Sequence, residues 1–190
     1  EKDALLATDA LIKADLRGVE SHGVSNMLRA YLGAFKSNSL NPKPNWKIVK
    51  ETASCATINS DNGLGIVVAP QAMEIAVEKA KKTGAGIVTM NNCGHLGMLA
   101  YHSMIASDND MIGTTMAACS PRMVPTYSSV RALGTNPISY SAPADKLPDF
   151  VFDAAMTSVA GNKIVLASRL NVPLSPGWIA DKDGNPIMEE

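Results

Sequence analysis

Residues 86–98 read GIVTMNNCGHLGM, which predicts a buried strand that runs into a loop of small and polar residues and then into a helix. The strongly titratable side chain of this stretch, His95, lies between Gly94 and Gly97. Glycines let a backbone and a bound ligand approach closely, and a helix N-terminus offers free N–H groups. The stretch therefore predicts a reactive histidine at the mouth of an α/β sheet, although such a histidine can also serve only to cap a turn.

The composition of the chain is that of a globular protein. Of 190 residues, 46% are hydrophobic and 18% are charged, and 17 basic residues balance 18 acidic ones, so no electrostatic basis for binding nucleic acid or an anionic membrane is visible. The three cysteines have no paired or metal-binding spacing, and no apolar run approaches the ~20 residues of a membrane helix. We therefore expect a cytoplasmic protein that binds no metal, nucleic acid or membrane.

Hydrophobic periodicity predicts alternating helices and strands. Helices are expected at about residues 2–16, 26–35, 67–83, 96–107 and 163–170, and strands at about 46–50, 55–58, 111–118, 138–141 and 150–153, with a further strand starting at 86. This alternation predicts an α/β fold with a mixed sheet and flanking helices, divided into a helical segment at 1–45 and an α/β region at 46–190. Because the chain begins with Glu1 inside a helical pattern and stops just after the turn at 181–184, we expect a fragment of a longer protein.

The common nucleotide-binding and hydrolase motifs are missing. Gly63-Leu64-Gly65 follows a predicted strand and precedes a helix, but it lacks the third glycine of the dinucleotide fingerprint, and the next acids, Glu74 and Glu78, lie within the helix. No Walker loop, HExxH or GxSxG occurs, so phosphoryl transfer, zincin chemistry and nucleophile-elbow hydrolysis are disfavoured.

What remains is a set of polar residues at the predicted strand ends and turns. They are Ser21, His22, Asn91, His95, Cys119, Ser120, Thr135, Asn136, Asp153 and Lys163. Ligands of α/β sheets bind where strands end and loops diverge, so these residues predict a shared site. Each has a structural alternative, such as a helix cap for Ser21-His22 or a turn former for Asn136.

Four motifs in this order resemble one family. They are RGVESHG at 17–23, NCGHLG at 92–97, GTNP at 134–137 and DAA at 153–155, the last followed by Lys163. Their order resembles that of the malate/L-lactate dehydrogenase family of NAD(P)-dependent oxidoreductases, which includes ureidoglycolate and sulfolactate dehydrogenases and cyclic imino-acid reductases. This is not the classical Rossmann group, in agreement with the missing fingerprint. The resemblance spans nearly the whole chain and implies a non-classical NAD(P)-binding fold that lacks the family's C-terminal part, with the cofactor-binding and catalytic region at 46–190.

The resemblance also implies roles for individual residues. His95 would be the acid/base group that takes the proton of a substrate hydroxyl while hydride leaves for nicotinamide, and Ser21 and His22 would line the substrate pocket and assist catalysis. Contacts to the cofactor, NAD or NADP, are implied for Cys119, Ser120, Asn136, Asp153, Ala154, Ala155 and Lys163. The partners implied are a small 2-hydroxy or 2-keto acid and a second copy of the chain in a homodimer.

One departure from the family concerns the substrate carboxylate. Relatives carry an arginine about five residues after the serine of the Ser-His-Gly motif, which suits a carboxylate clamp, whereas this chain has Asn26 there. Arg29 and Tyr31 are displaced as though one residue were inserted, and we expect both to contact the substrate. The sequence therefore predicts a 2-hydroxy-acid dehydrogenase, with an imino-acid reductase on the same scaffold and an inactive remnant as alternatives.

Overall fold

The computed structural model describes residues 1–188, which form helices and strands in an alternating order. The elements are α1 (Lys2–Leu16), α2 (Val24–Lys36), β1 (Lys47–Glu51), β2 (Cys55–Gly63), α3 (Gly65–Thr83), β3 (Ile87–Cys93), α4 (Ala100–Ser107), β4 (Gly113–Met116), β5 (Ile138–Ala142), β6 (Phe150–Ala154) and α5 (Gly161–Leu170). A single 3-10 turn at Glu20–His22 precedes α2. This order confirms the predicted α/β class.

The first sheet is mixed, as predicted. Its order is β1-β2-β3, with β1 antiparallel to β2 and β2 parallel to β3. A parallel pair needs a crossover connection, and α3 supplies it. Ile58 of β2 is fully buried against Val68 and Ala72 of α3, so apolar burial fixes this helix on the sheet. The strands β4, β5 and β6 form a second three-stranded sheet in that order.

The contacts divide the chain into two compact units. The first unit contains residues 1–115 and 139–152, and the second contains residues 116–138 and those from 153 onward. Both helices predicted for the segment 1–45 are present, and they belong to the first unit together with the first sheet. The domain boundary predicted at residue 45 stays a prediction.

Of the element bounds that differ from the sequence-based expectation, two have a clear local explanation. The helix expected from Leu96 begins only at Ala100, because Gly97 has a φ of 67°, which a right-handed helix excludes. Strand β2 continues to Gly63, beyond the predicted loop start at Asp61, and its pairing with β3 is irregular between Asn59 and Gly63.

The main apolar core of the first unit joins four helices. Leu11 and Ala14 of α1, Tyr31 of α2, Ile66 of α3 and Tyr101 of α4 are all buried in it. The Tyr101 hydroxyl donates a hydrogen bond of 2.8 Å to Oδ2 of Asp9, which ties α4 to α1. Helix α4 in turn follows directly on the loop that carries His95. None of the helices within residues 1–188 combines the length and apolar character needed to cross a bilayer.

The buried His102 of α4 makes stability depend on pH. Its side chain is fully enclosed, and burial lowers its pKa to about 4, whereas an unfolded histidine titrates near 6.5. Between these values the unfolded chain binds more protons, so the free energy of unfolding decreases as the pH falls. At pH 4.5 we expect the contribution of His102 to have decreased by on the order of 2 kcal/mol.

Denaturant unfolding of the intact protein and of His102→Gln at pH 7.5 and 4.5 measures this contribution. The other histidines are common to both proteins, so their titration cancels in the comparison. The variant should lose less free energy of unfolding on acidification than the wild type. Equal losses in the two proteins would contradict the assignment.

Candidate functional site

Four side chains predicted from the sequence come together in the first unit. Nδ1 of His95 lies 2.7 Å from the hydroxyl of Tyr31. The rings of His22 and His95 stack with centroids 5.4 Å apart and planes inclined by 16°. Oγ of Ser21 lies 2.9 Å from Nδ1 of His22. The turn before α2 and the loop after β3 therefore build one polar cluster, which we call the histidine pair site (Ser21, His22, Tyr31 and His95).

The turn that carries Ser21 and His22 is held from two sides. The N-terminus of α2 has no cap from its own Gly23; instead Oδ2 of Asp15 on α1 accepts a 2.9 Å hydrogen bond from the N–H of Val24. The carboxylate packs so closely on Gly23 that a β-carbon there would overlap it. From the other side, the buried amide of Asn26 donates a hydrogen bond of 2.9 Å to the carbonyl of Ser21. Asp15 and Asn26 thus fix the position of His22.

The loop that carries His95 is positioned by glycines. The N–H of Gly94 donates a hydrogen bond of 2.8 Å to the carbonyl of Gly63 at the end of β2. At the start of α3, a β-carbon added to Gly65 would lie 2.5 Å from the carbonyl oxygen of Gly94 and 2.7 Å from that of His95. Gly65 therefore serves as a close packing contact under the loop, a task that the sequence pattern, read as an incomplete phosphate loop, did not reveal.

The hydrogen bonds at Nδ1 define the tautomer of His95. The N–H of Gly97 lies 3.3 Å from Nδ1, and a backbone N–H can only donate. Nδ1 is therefore an acceptor, and the neutral ring carries its hydrogen on Nε2. Tyr31 donates to the same nitrogen, and burial raises the pKa of its hydroxyl, so Tyr31 remains protonated and available as a donor. Nε2 is left to face a ligand.

Both histidines of the pair are neutral near pH 7. Solvent reaches His95, but His22 and Tyr31 flank its ring, and burial lowers the pKa of His95 to about 4, with a further lowering by the charge that His22 would carry. Burial also lowers the pKa of His22. Two stacked rings at this distance do not both hold a charge. A neutral imidazole of this kind can accept a proton from a bound hydroxyl.

Arg29 is not brought to this cluster. It lies on an exposed part of α2, two residues before Tyr31, which at 3.6 residues per turn places the two residues about 200° apart around the helix. Asn26, at the position of the family's arginine, is buried. The substrate contact expected for Arg29 stays a prediction, while Tyr31 contacts His95 directly.

In the second unit, Cys119 and Asn136 are neighbours. The N–H of Cys119 donates a hydrogen bond of 3.0 Å to Oδ1 of Asn136. The backbone of Asn136 has a φ of 32°, in the left-handed region. A β-carbon on Gly134 would overlap the carbonyl of Cys119, so the GTNP motif packs tightly against the segment after β4 that carries Cys119. Ser120 follows on the surface.

The remaining residues predicted to contact the cofactor lie at the end of β6, just after it, and on α5, and all of them belong to the second unit. Asp153 and Ala154 close β6 and Ala155 follows it. The exposed ammonium of Lys163 on α5 lies 5.6 Å from the ring centroid of Trp178, a cation–π contact that the sequence analysis missed because nothing local links the two residues. The cofactor contacts of this group stay predictions.

Within residues 1–188, no group of three or more His, Cys, Asp or Glu side chains is placed to hold a metal ion. Sequence reasoning also missed Asp15, which acts on the Ser-His-Gly motif from a different helix. No local pattern marks such a contact, because it arises only when α1 packs beside the turn.

Comparison with known proteins gives consistent matches over the whole chain. The family model for malate/L-lactate dehydrogenase matches residues 1–189. The L-sulfolactate dehydrogenase of Methanocaldococcus jannaschii is 41% identical over 189 residues, which are 100% of this chain and 54% of that protein. The ureidoglycolate dehydrogenase (NAD(+)) of Escherichia coli K12 is 31% identical, over 98% of this chain and 53% of its own length.

Among solved structures, malate dehydrogenase from Entamoeba histolytica superposes with a TM-score of 0.95 at 31% identity, covering 100% of this chain and 52% of that one. The chain thus spans about half the length of the relatives that it matches.

Gly65 gives a direct test of the packing under the His95 loop. In Gly65→Ala the new methyl group meets backbone carbonyls that cannot move without displacing the loop, so we expect the free energy of unfolding to fall by about 1–3 kcal/mol. Gly33 of α2 has open space around its β-position, so the matched control Gly33→Ala should be neutral or stabilising by up to about 1 kcal/mol. Denaturant unfolding of the intact protein measures both, and an unchanged Gly65→Ala would contradict the close contact.

Proposed function

We propose that this chain, which belongs to the malate/L-lactate dehydrogenase family, is part of an NAD(P)-dependent oxidoreductase that transfers a hydride between a 2-hydroxy acid and a nicotinamide cofactor. The observation that carries the proposal is the neutral His95, held at Nδ1 by Tyr31 and stacked on His22. The names of the relatives, L-sulfolactate and ureidoglycolate dehydrogenase, support a hydroxy acid as substrate.

The chemistry requires a base that is neutral at the working pH. When hydride leaves the carbinol carbon, the hydroxyl proton becomes acidic and must be taken up by a nearby group. A histidine with a pKa of about 4 is neutral at pH 7. It can accept that proton at Nε2 in the tautomer that carries the ring hydrogen on Nδ1, where the Tyr31 oxygen lies 2.7 Å away as an acceptor. In the reverse direction, the same nitrogen returns the proton to the oxygen of a 2-keto acid.

Tyr31 lets His95 change its protonation state without moving. A phenolic hydroxyl both donates and accepts. It donates to Nδ1 of the neutral ring observed here. By rotation of its O–H bond it accepts from Nδ1–H in the other neutral tautomer, whose Nε2 is free to take the substrate proton, and in the imidazolium that results. The 2.7 Å contact therefore serves both states, and it stabilises the imidazolium formed during oxidation.

The cofactor, when bound, supplies the hydride acceptor or donor. The second unit offers groups that fit such a ligand. The exposed Ser120 hydroxyl and Lys163 ammonium suit phosphate oxygens, and Oδ1 of Asn136 holds the N–H of Cys119, the residue before Ser120 in the chain. We propose that these residues, with Asp153, Ala154 and Ala155, hold NAD or NADP. The substrate would lie against Ser21, His22 and Tyr31, in a cytoplasmic homodimer of the malate/L-lactate type.

The first test is His95→Ala in the intact protein. Removal of the acid/base group should lower kcat by about 10²–10⁴-fold, while NADH binding, followed by fluorescence, stays within about twofold because His95 is not among the proposed cofactor contacts. Lys36→Gln, an exposed change at the end of α2, is the matched control and should retain full activity.

The oxidation assay uses L-malate, L-lactate and L-sulfolactate with each cofactor. The reduction assay uses the corresponding 2-keto acids and a cyclic imine. Near-normal turnover of His95→Ala would contradict the role of His95. Reduction of the imine alone would assign an imino-acid reductase instead, and the absence of all these activities would contradict the proposed function.

The pH profile tests the electrostatic pairing of the two histidines. The ring of His22 shields His95 from solvent, and the positive charge that His22 would carry repels a charge on His95; both effects lower the pKa of His95. Replacing His22 by Asn removes both effects, so the pKa of His95 should rise toward 6.5. The neutral base is then lost at a higher pH, and the acid limb of kcat/KM for oxidation should shift to higher pH than in the wild type. An unshifted acid limb would show that His22 does not set the pKa of the catalytic base.

A further inference from the structure

Three fully buried serines connect α4 to the second sheet. Ser103 lies on α4, and Ser139 and Ser141 lie on β5. Oγ of Ser103 lies 2.8 Å from Oγ of Ser139, whose hydroxyl donates a hydrogen bond of 2.9 Å to the carbonyl of Phe152 on β6. The hydroxyl of Ser141 donates a hydrogen bond of 2.5 Å to the carbonyl of Ser103. These hydroxyls therefore form one buried network that joins three elements.

The direction of the hydrogen bonds in this network follows from its acceptors. A carbonyl oxygen can only accept, so the single hydrogen of the Ser139 hydroxyl points at Phe152. The short contact between the two serine oxygens is then a donation by Ser103, which is favoured over its longer contact of 3.3 Å with the carbonyl of Ala100. The hydrogen bonds thus run from α4 through β5 to β6, and bonds aligned in this sense strengthen one another.

The two serines of β5 act on different elements. They are two residues apart, so both side chains point to the same face of the strand. Ser141 binds the backbone of α4, whereas Ser139 binds the backbone of β6. Ser141 therefore fastens the helix to the sheet, and Ser139 in addition holds the end of β6.

The carbonyl that Ser139 holds comes directly before a segment proposed to contact the cofactor. Residues 153–155 follow Phe152, and on their other side the N–H of Met156 donates a hydrogen bond of 2.8 Å to the carbonyl of Thr135. Among the described strands, β6 lies at the edge of its sheet, and it is largely exposed. Because strand ends of this kind open easily, these two hydrogen bonds are needed to fix the segment at both ends.

We propose that Ser139 is a positioning residue for the nicotinamide cofactor, because it holds the carbonyl of Phe152 and with it the start of residues 153–155. The inference rests on the proposed function, in which this segment contacts NAD or NADP. A segment that is already ordered binds a ligand more tightly than one that must be ordered on binding. Loss of the Ser139 hydroxyl frees the end of β6 and weakens cofactor binding, while the histidine pair site keeps its contacts.

Ser139→Ala and Ser141→Ala form a matched pair of variants. Each removes one fully buried hydroxyl from the same face of β5, so both should lower the midpoint of denaturant unfolding by similar amounts. Only Ser139→Ala loses the hydrogen bond to β6. In the intact protein, the Kd for NADH or NADPH, followed by fluorescence, should rise about 3- to 10-fold in Ser139→Ala, as for the loss of one hydrogen bond, and by less than about twofold in Ser141→Ala.

Two further readouts separate positioning from general destabilisation. The KM for the cofactor should rise in Ser139→Ala together with the Kd, whereas kcat at saturating cofactor should stay within about threefold of the wild type, because the histidine pair site is unchanged. In hydrogen exchange without ligands, the amides of residues 153–156 should exchange faster in Ser139→Ala than in the wild type, and at the wild-type rate in Ser141→Ala. The exchange measurement requires no enzymatic activity.

Equal weakening of cofactor binding in the two alanine variants would overturn the proposal, and so would wild-type binding or wild-type exchange in Ser139→Ala. If Ser139→Ala does not fold, Ser139→Cys, which keeps the size of the side chain with a weaker donor, takes its place with the same expected results. If even the wild type binds neither NADH nor NADPH, the proposed function fails, and the role of Ser139 fails with it. If the wild type binds cofactor and Ser139→Ala binds it equally well, only the role of Ser139 fails.

Discussion

The 2.7 Å contact between Tyr31 and His95 is the interaction on which the candidate site depends. It joins two segments 64 residues apart, one on α2 and one on the loop after β3. For both groups to meet, α2 must be anchored at its N-terminus, which Asp15 does from α1. The loop must also lie close to the start of α3, which only a glycine at position 65 permits. The site is thus a product of how three helices pack.

The same packing determines the chemistry. Packing an imidazole beside a second imidazole disfavours its charged form, and burial is the larger of the two causes that lower the pKa of His95 to about 4. The resulting group is neutral at pH 7 and has one nitrogen engaged by Tyr31 and Gly97. Nε2 is then the nitrogen that faces a ligand, which gives the reaction a defined direction of approach, and it accepts a proton in the tautomer whose hydrogen lies on Nδ1.

The sequence predicted the parts of this arrangement that local patterns encode. Helix α1 has the predicted bounds of residues 2–16, and His95 was identified because glycines flank it after a strand. The start of α4 was placed too early, since Gly97 in a left-handed conformation looks like any other glycine in a sequence. The contact of Asp15 with Val24 could not be predicted, because it forms only when α1 packs beside the turn before α2.

The most direct test of the central claim, that Tyr31 acts on catalysis through His95, is a double-mutant cycle on kcat in the intact protein. Tyr31→Phe keeps the ring and removes only the hydroxyl, so it should lower kcat of the wild type by about tenfold and leave kcat of His95→Ala unchanged within about twofold. The two substitutions would then be strongly non-additive. Full additivity, with Tyr31→Phe equally harmful when His95 is absent, would contradict the account.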